Sequence, residues 1–139
     1  MFRRILVPTD LTDRTVKALD VAGRIAESDE AHVTVLHVIE TIAGAEFEEF
    51  SSFYQNLEEL ARKQLDEIVA RAPSARGRVD VAIVYGRRAE EVLRFARSHD
   101  IDLIVLASHP VDPSRPYGGM GTMSYKLGIL APSAVLLVK

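Results

Sequence analysis

Residues 102–107 read Asp-Leu-Ile-Val-Leu-Ala, and residues 108–124 read Ser-His-Pro-Val-Asp-Pro-Ser-Arg-Pro-Tyr-Gly-Gly-Met-Gly-Thr-Met-Ser. An apolar run without polar alternation suits a strand covered on both faces of a parallel sheet. The Pro-, Gly- and Ser-rich stretch after it reads as a loop. Similar apolar runs lie on either side. Ile5-Leu6-Val7, stopped by Pro8, reads as a first strand, and Val33–Val38 as a second. Val79, Val81, Ile83 and Tyr85 alternate with Asp80, Ala82 and Val84, which suggests a third strand at a sheet edge. Val135–Val138 reads as the fifth.

Between the strands the apolar period becomes helical. Thr12 reads as the N-cap of a helix over 13–27, with Val16, Leu19, Ala22 and Ile25 on its apolar face. A long amphipathic helix is expected over 47–71, its stripe of Phe50, Phe53, Tyr54 and Leu57 packing on the sheet. The neighbouring acids Glu46, Glu48 and Glu49 are expected to face solvent. Ala89, Val92, Leu93 and Ala96 mark a third helix after Gly86, and Tyr125–Leu130 a short fourth. Strands alternating with helices imply right-handed crossovers. The expected fold is α/β: a three-layer, doubly wound, five-stranded parallel sheet with helices on both faces. In such folds ligands sit outside the carboxyl ends of strands where strand order reverses.

Composition narrows the classes. A length of 139 residues suits one domain over 1–139, and 47% apolar with 27% charged residues argues against a wholly disordered chain. Cysteine is absent from the sequence, which excludes disulfides, a thiolate nucleophile, Fe–S clusters and Cys-based zinc sites. A net charge of −3 does not favour nucleic acid or an anionic membrane as partner. The longest apolar run, Ile129–Val138, contains Pro132 and Ser133 and falls short of the about 18 residues of a membrane span. The opening MFRRILVPTD has no signal-peptide core, so a cytoplasmic location is expected. His32, His37, His99 and His109 lack metal-ligand spacing, so no metal site is expected. There is no Walker A sequence, no G-x-G-x-x-G after the first strand and no G-x-S-x-G around Ser108. A binding protein is therefore expected rather than an enzyme.

ILVPTD–LTDRTVKALDVA, VTVLHV, YGRRAEEVLRFARSHDIDLIVLASH and GTMSYKLGILAPSAVLLVK, in this order and spacing, resemble the universal stress protein family over essentially the whole chain. The resemblance implies the strand order 3-2-1-4-5. It also implies a homodimer paired through strand 5 (Val135, Leu136, Leu137, Val138) and, in one branch, an adenine nucleotide at the strand 1/strand 4 crevice. That branch carries G-x-x-G, a spacer, then G-(S/T). Here Gly121-Thr122 supplies the tail, but Ala107 and Pro110 stand at the two head glycines, and the spacer Val111–Met120 is one residue longer than the pattern's.

The site residues so implied are Pro8, Thr9 and Asp10 after strand 1, and Val38 at the end of strand 2. Around strand 4 they are Leu106, Ala107, His109, Gly121, Thr122 and Met123. Each has a plainer alternative. Asp10 contacts adenine or ribose, or shapes the turn before the first helix. Val38 packs on adenine, or is core. His109 faces the nucleotide, or is an exposed loop imidazole. Pro110 removes a backbone donor, while the Thr122 and Ser124 hydroxyls at a helix start, with Arg115 nearby, can still hold phosphate. ATP or AMP is the implied ligand, with Mg²⁺ if ATP. Arg87-Arg88 reads as a solvated helix start, because the third strand lies at the edge and away from the crevice. Two functions remain open: a nucleotide-binding regulatory protein, and a nucleotide-free dimeric adaptor.

Overall fold

The computed structural model describes residues 1–41, 47–108, 112–115 and 122–139. Strands β1 (Arg4–Thr9), β2 (His32–Glu40), β3 (Val79–Gly86), β4 (Leu103–Ala107) and β5 (Ala134–Val138) alternate with helices α1 (Arg14–Asp29), α2 (Ser51–Ala70), α3 (Arg88–Ser98) and α4 (Met123–Leu130). All neighbouring strands are parallel, in the order β3-β2-β1-β4-β5. This is the doubly wound fold expected from the sequence.

The two-faced burial of the central strands explains their unbroken apolar runs. Ile5 and Val7 join Leu19 of α1 and Leu65 of α2 in one core cluster, with Val33, Val35, Leu103 and Val105. Leu6, between them in sequence, joins Leu36, Ile104 and Leu106 with Val92 of α3 and Leu127 of α4 in the other. Successive strand residues point to opposite faces, so only strands covered by helices on both sides need every position apolar.

Pro8 does not stop β1, which runs on to Thr9 with Pro8 level with Leu36 of β2. The Asp102 N–H donates to the Arg4 carbonyl (3.0 Å), so even-numbered residues of β1 turn their backbone toward β4. The β1–β4 register covers only Ile5↔Leu103 and Leu6↔Ile104. The strands have parted before Pro8, so its missing donor breaks no ladder bond. The same parting opens a crevice at their carboxyl ends.

The expected cap of the first helix is also different. Asp13 occupies the cap position without a side-chain cap bond, and α1 continues to Asp29. Thr12 stands one residue before the cap position, its side chain turned back so that its hydroxyl donates to Asp10 Oδ1 (2.6 Å). The long helix begins as a 3-10 turn, Phe47–Phe50, before α2. Its buried residues are Tyr54, Ala61, Leu65 and Ile68, while Phe53, expected to pack on the sheet, is 51% exposed. Apolar residues occupy more than one face of this helix, and the face beginning at Tyr54 packs inward. Glu48 and Glu49 are exposed as expected; Glu46 lies outside the described residues. On the outer side of α1, Gly23 meets the 3-10 turn Pro73–Ala75 backbone to backbone, and Asp20 accepts the Ser74 N–H (3.3 Å).

Candidate functional site

Three loops meet above the parted ends of β1 and β4. The first leaves β1. Thr9 is buried, its hydroxyl bonded to that of Thr15 (2.7 Å) and accepting the Leu11 N–H (2.9 Å). Asp10 Oδ1 accepts the Thr12 N–H (3.0 Å) and hydroxyl, and Oδ2 accepts from Arg14 (3.2 Å). Burial alone would raise the Asp10 carboxyl; the bonds from Thr12 and Arg14 outweigh it and hold the pKa below the usual carboxylate value. Asp10 thus does shape its turn, and it also positions Arg14.

The second loop leaves β3. Gly86 has φ +145°, a conformation that favours glycine, and turns the chain into α3. Arg87 is exposed and paired with Glu90 (3.7 Å), whereas Arg88 is half-buried. The third loop leaves β4 and ends in Thr122, the cap residue of α4, followed by Met123 and Ser124.

These parts enclose a cleft of about 240 Å³. Pro8 and Asp10 line it from β1, Arg14 and Thr15 from α1, and Arg88 from α3. Leu106 and Ala107 line it from β4, and Thr122, Met123 and Ser124 from the start of α4. The first turns of three helices converge there, each presenting the positive end of its dipole. The described lining residues include two guanidinium groups and one carboxylate. The site is therefore suited to an anion. Among the described residues, no cluster of His, Asp and Glu could hold a metal ion.

Of the residues singled out from sequence, Pro8, Asp10, Leu106, Ala107, Thr122 and Met123 come together in this cleft. Thr9 lies buried behind them, and Val38 is in the core with Leu6, Leu36 and Leu106, not on the cleft lining. His109 and Gly121, with Pro110, lie outside the described residues. Arg115 is exposed and does not line the cleft. Arg88 corrects an expectation. β3 is indeed an edge strand, but α3 connects it to β4 on the far side of β1 and must cross back over the sheet. Its first residue, Arg88, lines the crevice. Arg14 and Thr15 were not singled out; their position in the first turn of the helix after β1 is the signal that points to them.

His37 stands beside this floor, its Nδ1 within 3.2 Å of the Thr9 carbonyl. Burial, with the nearby Arg88 charge, lowers its pKa below the ordinary 6.5 against the opposing effects of the Thr9 carbonyl and Asp10. The folded protein thus binds the His37 proton less readily than the unfolded chain. Its contribution to stability is present above pH 6.5 and is lost as pH falls through the window below it. The urea midpoint should decline over that window in the parent and decline less in His37→Gln. An equal decline in both would assign the effect elsewhere.

Fold and cleft together define a doubly wound domain with a ligand crevice at its topological switch point. The chain belongs to the universal stress protein family, whose model matches residues 1–139. It is 30% identical over 149 aligned residues to a universal stress protein of Thermus aquaticus, covering 100% of both chains. It is 33% identical over 115 residues to universal stress protein A homolog 1 of Coxiella burnetii, covering 78% of this chain and 77% of the relative. Among solved structures, MJ0577 superposes with a TM-score of 0.81 at 26% identity, covering 100% of this chain and 96% of that one. A universal stress protein in complex with cAMP has a TM-score of 0.75 at 19% identity, covering 99% and 97% of the two chains. One from Archaeoglobus fulgidus in complex with dAMP has 0.69 at 18%, covering 99% and 98%. At these last identities the likeness is one of fold.

Proposed function

We propose that this protein is a regulatory protein of the stress-response type that holds an adenine nucleotide in the cleft between the β1 and β4 loops. The ligand is AMP or ATP, with Mg²⁺ accompanying ATP. The observation that carries this reading is the convergence of Pro8, Asp10, Leu106, Ala107, Thr122 and Met123 on one cleft at the strand ends. The cAMP and dAMP complexes of proteins with the same fold support the ligand class. The cleft binds without turnover: Asp10, the one carboxylate among its described lining residues, is already engaged by Thr12 and Arg14. Occupancy then alters a surface that a protein partner reads, in the cytoplasm.

A nucleotide-free adaptor of the same fold is the competing reading, and the Arg14–Asp10 pair at the cleft favours it. Nucleotide release separates the two. Purified protein, denatured and run on anion exchange, should yield adenine nucleotide, or the folded protein should bind added ATP or AMP with Kd below about 1 mM. If neither happens at saturating Mg²⁺, the adaptor reading replaces this one.

The protein acts as a homodimer through β5. Among the described residues this strand pairs only with β4, and Leu136 and Leu137 on it are 37% and 41% exposed. Tyr125, Ile129 and Leu130 of α4 are also exposed beside it. An exposed apolar edge invites strand pairing. Sedimentation should give twice the 15.4 kDa chain mass, and Leu137→Asp should reduce it to one chain. A parent monomer at micromolar concentration would remove the edge-pairing argument.

A further inference from the structure

The two arginines of the cleft are not equivalent. Arg14 is held by Asp10. Arg88 is half-buried, and among the described residues no carboxylate pairs with it. The acids nearest in sequence are committed elsewhere, Glu90 to Arg87 and Glu91 to Arg94 (2.6 Å). Arg88 is moreover the first residue of α3, where a cation opposes the helix dipole and an acid would be favoured. Its charge reaches His37, which stands against the Thr9 carbonyl. A guanidinium partly withdrawn from water, at the wrong end of a helix and without a counter-charge, lowers stability and calls for an anionic partner. Its planar fork suits two oxygens of one phosphate.

We propose that Arg88 is a specificity-determining residue of the cleft, pairing with an ionised phosphate of the ligand so that the site ranks ligands by charge. A monophosphate dianion is held more tightly than a cyclic monoanion, and that more tightly than an uncharged nucleoside. The nucleotide part of this rests on the function proposed above; the anion part does not.

The test compares the parent with Arg88→Gln and Arg87→Gln by calorimetric titration of AMP, cAMP, adenosine and inorganic pyrophosphate. The parent should prefer AMP to cAMP on the order of tenfold, as a charge-assisted bond allows. Arg88→Gln should bring AMP and cAMP within about twofold of each other, leave adenosine unchanged, and weaken pyrophosphate on the order of tenfold. Arg87→Gln should change none of these. Melting supplies a second readout: Arg88→Gln should melt no lower than the parent, since it removes an unpaired cation from a helix N-terminus. A lower Tm together with weaker adenosine binding would show a merely structural Arg88 and overturn the proposal.

The two readings fail separately. AMP binding without charge ranking overturns the role of Arg88 and leaves nucleotide binding standing. Arg88-dependent pyrophosphate binding without any binding of AMP or adenosine sustains the anion site and overturns the nucleotide. Binding of neither AMP nor pyrophosphate overturns both.

Discussion

Gly23→Ala should lower the unfolding free energy by about 2 kcal/mol and the Tm by about 6 °C. Two effects compete at this position in α1. Alanine is the better helix former, by about 1 kcal/mol. Against that, its Cβ would lie 2.5 Å from the Ser74 carbonyl carbon and 2.6 Å from the Ala75 nitrogen. These are backbone atoms of a turn held between α2 and β3, so no rotamer change relieves the overlap. Moving them also strains the Ser74 N–H bond to Asp20. Overpacking of this kind costs about 1–3 kcal/mol, sometimes more, and outweighs the helical gain. Gly128 in α4 is the control. Nothing lies within 4 Å of a Cβ there. Gly128→Ala should therefore stabilise by up to about 1 kcal/mol. Equal effects at the two glycines in thermal melts would disprove the close approach of α1 to the turn.

Thr122→Asp should weaken binding of AMP at least about a hundredfold while leaving the fold intact. Thr122 lines the cleft at the start of α4 and makes no side-chain cap bond. Aspartate is a good N-cap and suits the helix dipole, so stability should hold or rise. Under the proposed function the same carboxylate would face the ligand's phosphate, and like-charge contact in a partly dry site costs several kcal/mol. The prediction separates folding from binding in a single variant. Unchanged affinity in titration would place the phosphate elsewhere in the molecule.

Much of the fold was legible because the central strands are covered on both sides. Ile5–Val7 and Leu103–Leu106 leave no polar alternation, and only a parallel sheet between helices accommodates that. Boundaries were less legible where one side chain had two uses. Thr12 has the chemistry of a cap, but its side chain turns back to Asp10 two residues earlier, and the cap position falls to Asp13. Phe53 and Tyr54 are both apolar enough to pack, and local period does not choose between overlapping helical faces. At the cleft, Pro8, Asp10, Ala107 and Thr122 were legible through the family resemblance, which falls on the connections that follow β1 and β4. Arg88 is passed over because the third strand reads as an edge strand away from the crevice. β3 is indeed at the edge, yet the first residue of α3 lines the cleft. The distance between neighbouring strands is local, whereas the reach of a crossover depends on the whole winding order.

The short register between β1 and β4 has a mechanical consequence. Two register pairs, with the Asp102–Arg4 backbone bond beside them, make the strand-to-strand pairing at the seam between the β3-β2-β1 half of the sheet and the β4-β5 half. A small molecule that touches Pro8 and Asp10 on one side and Ala107 and Thr122 on the other works as a clasp across that seam. The exposed edge at β5 belongs to the narrower half, so a ligand bridging the two halves would bear on the half that carries the strand at which a second copy would attach.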